Sequence, residues 1–272
     1  MRASAFAPAN LSCIFRIVRG DTPETTHSLG IGFTIDKGVT ATASLASKAE
    51  VLLHGKHVVI SPVSIVLARL TDKPLLIELS SELLFGCGFG LSGAATLASA
   101  YAVNALLSLG KTAEQLAMLS HAAEVMAHTG LGDITAQYLG GFLMKSMPGS
   151  PLEAERLGIT GKAYYKVFGP LDTASVITDR AKEKLINMAG EKALEAVSSL
   201  PHPSFPDILK VSLQFAEESG LLADKQVREL VGTITSRGGH ASMIMLGNAV
   251  FSDSQFKGCE EAMISEQGAY VL

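Results

Sequence analysis

At 272 residues, 47% hydrophobic and 18% charged, the chain can bury a sizeable core and divide into two lobes of roughly 100 to 150 residues, which excludes a disordered polymer. A formal net charge of −4 with dispersed Lys and Arg offers no basic stripe to follow a phosphate backbone and argues against a nucleic-acid partner. Three cysteines, Cys13, Cys87 and Cys259, without a CxxC spacing, supply neither a disulfide framework nor a thiolate zinc site, and fit a reducing cytoplasm.

The N-terminus shows no basic start followed by a long apolar run, so secretion is unsupported. Up to about residue 80 the chain reads as strands: SAFAP, the run Leu11 to Val18, GFTID and VTATASL are each rich in β-branched or aromatic residues. Hairpins are their natural connection. Glu50 to Leu53 and Lys56 to Ile60 are two short runs around His54 and Gly55, and Ile65 to Leu70 reads as a further strand. From Leu83 to Gly110 no charged residue occurs, a pattern that hydropathy would flag as a spanning helix. Gly86, Gly88 and Gly90 each cost roughly 1 kcal/mol in a helix, and the remainder, Ser92 to Leu109, is short for a bilayer and carries Ser99, Asn104 and Ser108. The stretch reads as a buried helix behind a glycine loop, with no membrane partner.

Thr112 with Gln115 makes a capping box that opens the next helix, which stops near His128 with Gly130 as its left-handed cap. A helix or strand follows Asp133 and ends by Pro148. Met147 to Pro151 reads as an inter-lobe linker, dividing the chain into lobes 1–150 and 151–272. In the second half, Lys162 to Phe168 reads as a strand and Thr178 to Ser198 as a helix. Ser204 with Asp207 caps another helix that ends by Gly220, Asp224 to Val231 is a short helix, and ASMIML is a core strand.

The segment Phe85 to Ala95, FGCGFGLSGAA, lies between a strand-like run and a helix and has four glycines and a serine. Glycines let a backbone approach a polyphosphate, and free N–H groups at a helix start, with the helix dipole, favour anions. Ser92 falls in the first turn, where its hydroxyl can reach a phosphate-bound cation. The pattern is neither a Walker A loop nor a dinucleotide fingerprint, and a tight strand-to-helix turn is the plain alternative. Behind it, HAAEVMAHTGLGDITAQ places Glu124 on a helix and Asp133 beyond a TGLG turn. Phosphoryl transfer needs one carboxylate on the metal that bridges β and γ oxygens and a second group beside the attacking hydroxyl. A solvated helix carboxylate for Glu124 and a helix cap for Asp133 are the bland readings. His121, Glu124 and His128 share one helix face and offer a rival zinc site, but HxxExxxH is not a zincin pattern and nothing completes it.

The loop GCGFGLSGAA resembles the phosphate-binding loop of the GHMP kinases, usually GxGLGSSAA, with Phe89 in the Leu place, Leu91 in that of the first Ser, Ser92 as the second Ser and Gly93 in that of the first Ala. The resemblance implies an α+β fold of two lobes with the active site in the cleft between them. The N-terminal lobe would be ribosomal protein S5 domain 2-like and the C-terminal lobe ferredoxin-like. It implies ATP along Gly86, Gly88, Phe89, Gly90, Leu91, Ser92, Gly93 and Ala94, Mg²⁺ on Ser92 and Glu124, and Asp133 beside the acceptor hydroxyl. APANLSCIF, GIGFTIDKG, GFGLSGAATLASAYAVN, TGLGDITAQYLGG and SMIMLGNAVF resemble the archaeal pantoate kinases, which implies ATP-dependent phosphorylation of pantoate to 4-phosphopantoate on the way to coenzyme A, by a cytoplasmic homodimer. A carboxylate substrate calls for a cation and polar donors. Lys145, His121 and Ser28 are candidates, against readings as a surface lysine, a structural donor and a turn residue. Asn10, a fourth candidate substrate contact, stands where mevalonate kinases carry a lysine, so a positive charge on the reacting hydroxyl is absent, and the C-terminal glycine motif of the superfamily is reduced to Gly238, Gly239 and Gly247. Another GHMP kinase, acting on mevalonate, homoserine or shikimate, and a non-catalytic nucleotide sensor are the rival readings. The retained Ser92, Glu124 and Asp133 speak against the sensor.

Overall fold

A computed structural model describes residues 1–171 and 179–272. The architecture is α+β, as expected, and is organised on two sheets. The first strand, β1 (Arg2–Val18), joins SAFAP and the run from Leu11 into one element, and β2 (His27–Leu45) does the same for GFTID and VTATASL. They pair antiparallel along almost their whole lengths, with register shifts between Pro8 and Asn10 and between Ser12 and Ile14. Pro8 has no N–H to give a ladder, so a bulge beside it is where the strand accommodates it. The hairpin β3 (Glu50–Leu53) and β4 (Lys56–His57) turns on His54 and Gly55, both left-handed, at φ 50° and 76°.

Ile65 to Leu70, expected as a strand, is instead part of helix α1 (Ser61–Leu70). Pro62 pre-sets the first turn, and the buried Pro62, Val63, Val66 and Leu70 recur at helical spacing. Next comes β5 (Leu75–Ser80), then α2 (Leu91–Leu107) and α3 (Ala113–Ala127), whose capping box is formed as expected. His128, not Gly130, caps α3 in the left-handed region, at φ 56°. Both alternatives after Asp133 are realised in turn, as α4 (Asp133–Leu139) and β6 (Phe142–Lys145), followed by β7 (Glu155–Arg156). The first sheet runs β12 (Tyr270–Val271)-β1-β2-β5-β3-β4, with β6 on β2 and β7 on β6.

The second sheet, β11-β8-β10-β9, uses β8 (Lys162–Gly169), β9 (Ala241–Met243), β10 (Asn248–Ser252) and β11 (Glu260–Met263). Strand β12 (Tyr270–Val271) returns to β1. Against these lie α5 (Arg180–Ser198), α6 (Phe205–Glu218), with the expected capping box at Ser204 and Asp207, and α7 (Lys225–Thr235), capped by Asp224. Thr178, the expected start of α5, lies outside the described residues. ASMIML is a strand only to Met243, after which the chain turns back as Gly247 N donates to Ile244 O. A cluster of rings joins the sheets: Phe33 stacks on Phe142 at 4.9 Å and meets Phe205 edge-on at 5.5 Å, and Phe205 stacks on Phe251 at 6.3 Å.

Helix α2 is buried along most of its length between β1, β2, α1 and α3. This is the apolar stretch that hydropathy flags, and its position in the core explains its composition. Among the described residues no helix is long and apolar enough to cross a membrane.

Candidate active site

The glycine loop enters α2 through Gly90, which stands at φ 59° and has no side-chain cap. A β-carbon would be strained in that conformation, and the missing cap leaves first-turn N–H groups for a ligand. The loop is held from three sides. Asn10 N donates to Phe89 O at 3.0 Å and Leu171 N to Gly86 O at 2.8 Å. The β9–β10 turn packs so closely that a Cβ on Gly247 would lie 2.2 Å from Cys87 O. Phe89 and Leu91 are buried, Phe89 edge-on to Tyr165 at 5.2 Å, so only their backbone is offered to the loop. Ala94 N–H is already committed to Gly90 O at 3.0 Å as the first bond of α2, which sets Ala94 apart from the rest of the expected loop.

Ser92 Oγ donates to Glu124 Oε1 at 2.8 Å, Thr96 Oγ1 to the same oxygen at 3.3 Å, and Thr129 Oγ1 to Glu124 Oε2 at 2.9 Å. Glu124 is only 1% exposed. Burial, aided by the neighbouring Asp133 charge, pushes its carboxyl up to about 7 against the pull of the hydroxyl donors. Asp133 opens α4 and accepts from Asn10 Nδ2 at 2.7 Å through Oδ1. Burial raises its carboxyl too, and the Asn10 bond works against that. Between the two carboxylates sits Gly130. A Cβ there would lie 2.9 Å from Asp133 Oδ2 and 3.0 Å from Glu124 Oε2, so two carboxylate oxygens converge on one point that only a glycine leaves open.

Beside this pair a cleft open to solvent is lined by Asn10, Ser28, Asp133 and Lys145 among its polar groups, with Ile14, Ile31, Leu131, Leu143 and Leu246 as apolar walls. Ser28 N donates to Leu131 O at 3.1 Å, and a Cβ on Gly132 would strike Ser28 Oγ, so this serine and the TGLG turn are in close contact. Lys145 Nζ donates to Ser150 O and to Glu153 O, the latter at 2.9 Å, and burial lowers its ammonium from the usual lysine range. Asn10 Oδ1 is buried with no hydrogen-bond partner among the described residues.

His121 is the expected substrate contact that the fold does not bring here. It is buried, its Nε2 meets Thr26 O at 3.0 Å, and burial drops its imidazole to about 4. It does not line the cleft, and the structural-donor reading fits it. The zinc alternative also fails, since His128 is exposed and no cluster of three metal-ligating His, Cys, Asp or Glu exists among the described residues. Thr96, Thr129 and Gln137 were not anticipated. Two of them carry a local signal: Thr96 lies one turn after Ser92 on α2, and Gln137 one turn after Asp133 on α4.

Residues 57–141, which hold the glycine loop, Glu124 and Asp133, match the family described as the GHMP kinases N terminal domain. The chain is 31% identical over 267 residues to a pantoate kinase of Methanocaldococcus jannaschii, covering 95% of each, and 32% identical over 274 residues to one of Thermococcus kodakarensis, covering 93% of this chain and 87% of the relative. A solved phosphotransferase related to the CoA biosynthesis pathway superposes with a TM-score of 0.87 at 26% identity, covering 100% of this chain and 98% of that one. A homoserine kinase from Cytophaga hutchinsonii shares the fold at a TM-score of 0.66 and 16% identity, covering 100% of this chain and 97% of that one. Identity sustained along nearly the whole length, not only through the glycine loop, decides the narrower membership: the chain belongs to the pantoate kinase family of the GHMP kinases.

Proposed function

We propose that this protein transfers the γ-phosphoryl group of ATP to the primary hydroxyl of pantoate, giving 4-phosphopantoate and ADP in coenzyme A biosynthesis. The observation that carries the reading is the convergence of Glu124 and Asp133 on the space at Gly130, with Asp133 Oδ1 3.0 Å from where a Cβ on Gly90, at the uncapped start of α2, would stand. The first-turn amides from Leu91 to Gly93 would cradle the triphosphate, and Gly86, Gly88 and Gly90 let it approach.

The donor set suits Mg²⁺: a serine hydroxyl and two carboxylates, all hard oxygens, as expected of an ion completed by phosphates and water. Ser92 and Glu124 would hold it. When bound, Mg²⁺ supplies charge neutralisation at the transferring phosphoryl group. Asp133 receives the hydrogen of the attacking hydroxyl, and a carboxyl raised by burial is better matched to that role near neutral pH. Asn10 fixes the Asp133 rotamer through its 2.7 Å bond.

For the acceptor, Lys145 spends two of its three N–H donors on Ser150 O and Glu153 O, leaving one for the substrate carboxylate. Ser28 adds a hydroxyl, and the apolar walls suit the two methyl groups of pantoate. The division near residue 150 into two lobes about this cleft, assembly as a homodimer and a cytoplasmic location belong to the same proposal.

The test follows ADP release from purified protein with pantoate, mevalonate, homoserine or shikimate, and identifies the product by mass. Turnover confined to pantoate and lost in Asp133→Ala and Ser92→Ala supports the reading. Preference for another alcohol, or undiminished rates in both variants, would overturn it.

A further inference from the structure

Gln137 is fully buried, yet only half of its amide is used. Its Nε2 donates to Gly90 O at 2.7 Å, and its Oε1 has no partner among the described residues. Rotating the amide would set two acceptors against each other at Gly90, so the orientation is forced. A Cβ on Gly93 would come within 2.7 Å of Oε1. The side chain thus lies across the mouth of α2, one turn along α4 from Asp133. Burying an unpaired carbonyl costs stability, and an apolar side chain of the same size would avoid that cost, so packing alone does not account for a glutamine here.

The peptide between Gly90 and Leu91 supplies an account. Its carbonyl accepts from both Ala94 N and Gln137 Nε2, and the N–H of Leu91 points the opposite way because the peptide unit is planar. Glycine tolerates either orientation of that unit. If it turned over, a carbonyl oxygen instead of an N–H would face the triphosphate. We propose that Gln137 is a positioning residue that locks the Gly90–Leu91 peptide, so that the Leu91 amide faces the phosphates in register with Asp133. This rests on the nucleotide part of the reading above and not on the identity of the acceptor.

The test is calorimetric binding of a non-hydrolysable ATP analogue with Mg²⁺ to the parent, Gln137→Met and Gln137→Glu, with melting curves and steady-state rates alongside. Gln137→Met should weaken nucleotide binding by about tenfold, the loss of one hydrogen bond, with the melting temperature held or raised and KM for pantoate unchanged. Gln137→Glu should bind nearly as the parent where its carboxyl is protonated and donates to Gly90 O. Its affinity relative to the parent should then fall as pH rises, while the Gln137→Met ratio stays flat. Equal nucleotide affinity in parent and Gln137→Met, or a flat Gln137→Glu ratio, overturns the proposal and leaves the kinase reading standing. A parent that binds the analogue but does not phosphorylate pantoate removes the acceptor assignment alone, and one that binds no nucleotide removes both.

Discussion

Replacing Gly130 by alanine puts a methyl group at the point where the two carboxylates converge. Gly130 is not among the glycines with positive φ, so alanine suits its backbone and the strain falls on side chains. The new carbon would lie 2.9 Å from Asp133 Oδ2 and 3.0 Å from Glu124 Oε2, and both oxygens must retreat by a few tenths of an ångström. Each is tethered: Glu124 Oε2 accepts from Thr129 at 2.9 Å, and Asp133 is held through Asn10 at 2.7 Å. Retreat therefore weakens these two hydrogen bonds, each worth about 1.5 to 3 kcal/mol in full, and only a small part of each is lost. Against this, the alanine lowers the entropy of the unfolded chain by about 0.4 to 1 kcal/mol, so net stability should move by about 1 kcal/mol or less. Function should respond differently, because the methyl displaces both carboxylates of the proposed centre, a misplacement that costs about 10²-fold in kcat/KM. Coupled ADP release and urea unfolding on the same preparation measure the two effects. Activity within about threefold of the parent, corresponding to less than about 1 kcal/mol of lost transition-state stabilisation, would refute the placement of the reacting centre.

Glu124 makes stability depend on pH. Its carboxyl titrates near 4.5 when unfolded and near 7 when folded without metal, so between those values the folded state holds a proton the unfolded chain has lost, and stability falls as pH rises. The loss is about 3 kcal/mol, complete above pH 7 and absent below 4.5, and Glu124→Gln should remove it, read as the difference between the two proteins in urea unfolding at pH 5 and pH 8. Asn10→Leu strips Asp133 of the donor that lowers its carboxyl, so the acid limb of the kcat/KM profile should move to higher pH, with a fall of about 10- to 100-fold in rate. Gly247→Ala sets a Cβ 2.2 Å from Cys87 O, a backbone collision that should cost about 1 to 3 kcal/mol. It should raise KM for ATP more than KM for pantoate, as initial rates would report.

The loop and its two acidic residues were legible because the information is local. Glycines at alternate positions ahead of an uncharged run announce a turn into a buried helix, and Thr112 with Gln115 or Ser204 with Asp207 encode their caps within four residues. Ile65 to Leu70 reads as a strand because β-branched residues on a short apolar run suit a strand or a buried helix equally, and Pro62 with the packing of α1 on α2 and α3 makes it a helix. His121 was placed correctly on its helix but assigned the wrong environment: a helix face does not reveal whether it meets a cleft or the carbonyl of Thr26.

Chain order alone names the groups that the proposed chemistry needs: amides after Gly90, a hydroxyl at Ser92, carboxylates at Glu124 and Asp133. Their meeting is the work of the fold. Asn10 reaches Asp133 across 123 positions of chain, Gly247 lies against Cys87 from the second sheet, and Gly130 serves as open space between two carboxylates instead of as a helix cap. The physical reason is range. Caps, turns and helical periods are set by neighbours within a turn or two, whereas contacts between distant segments follow from strand register and from which small residues let two backbones approach.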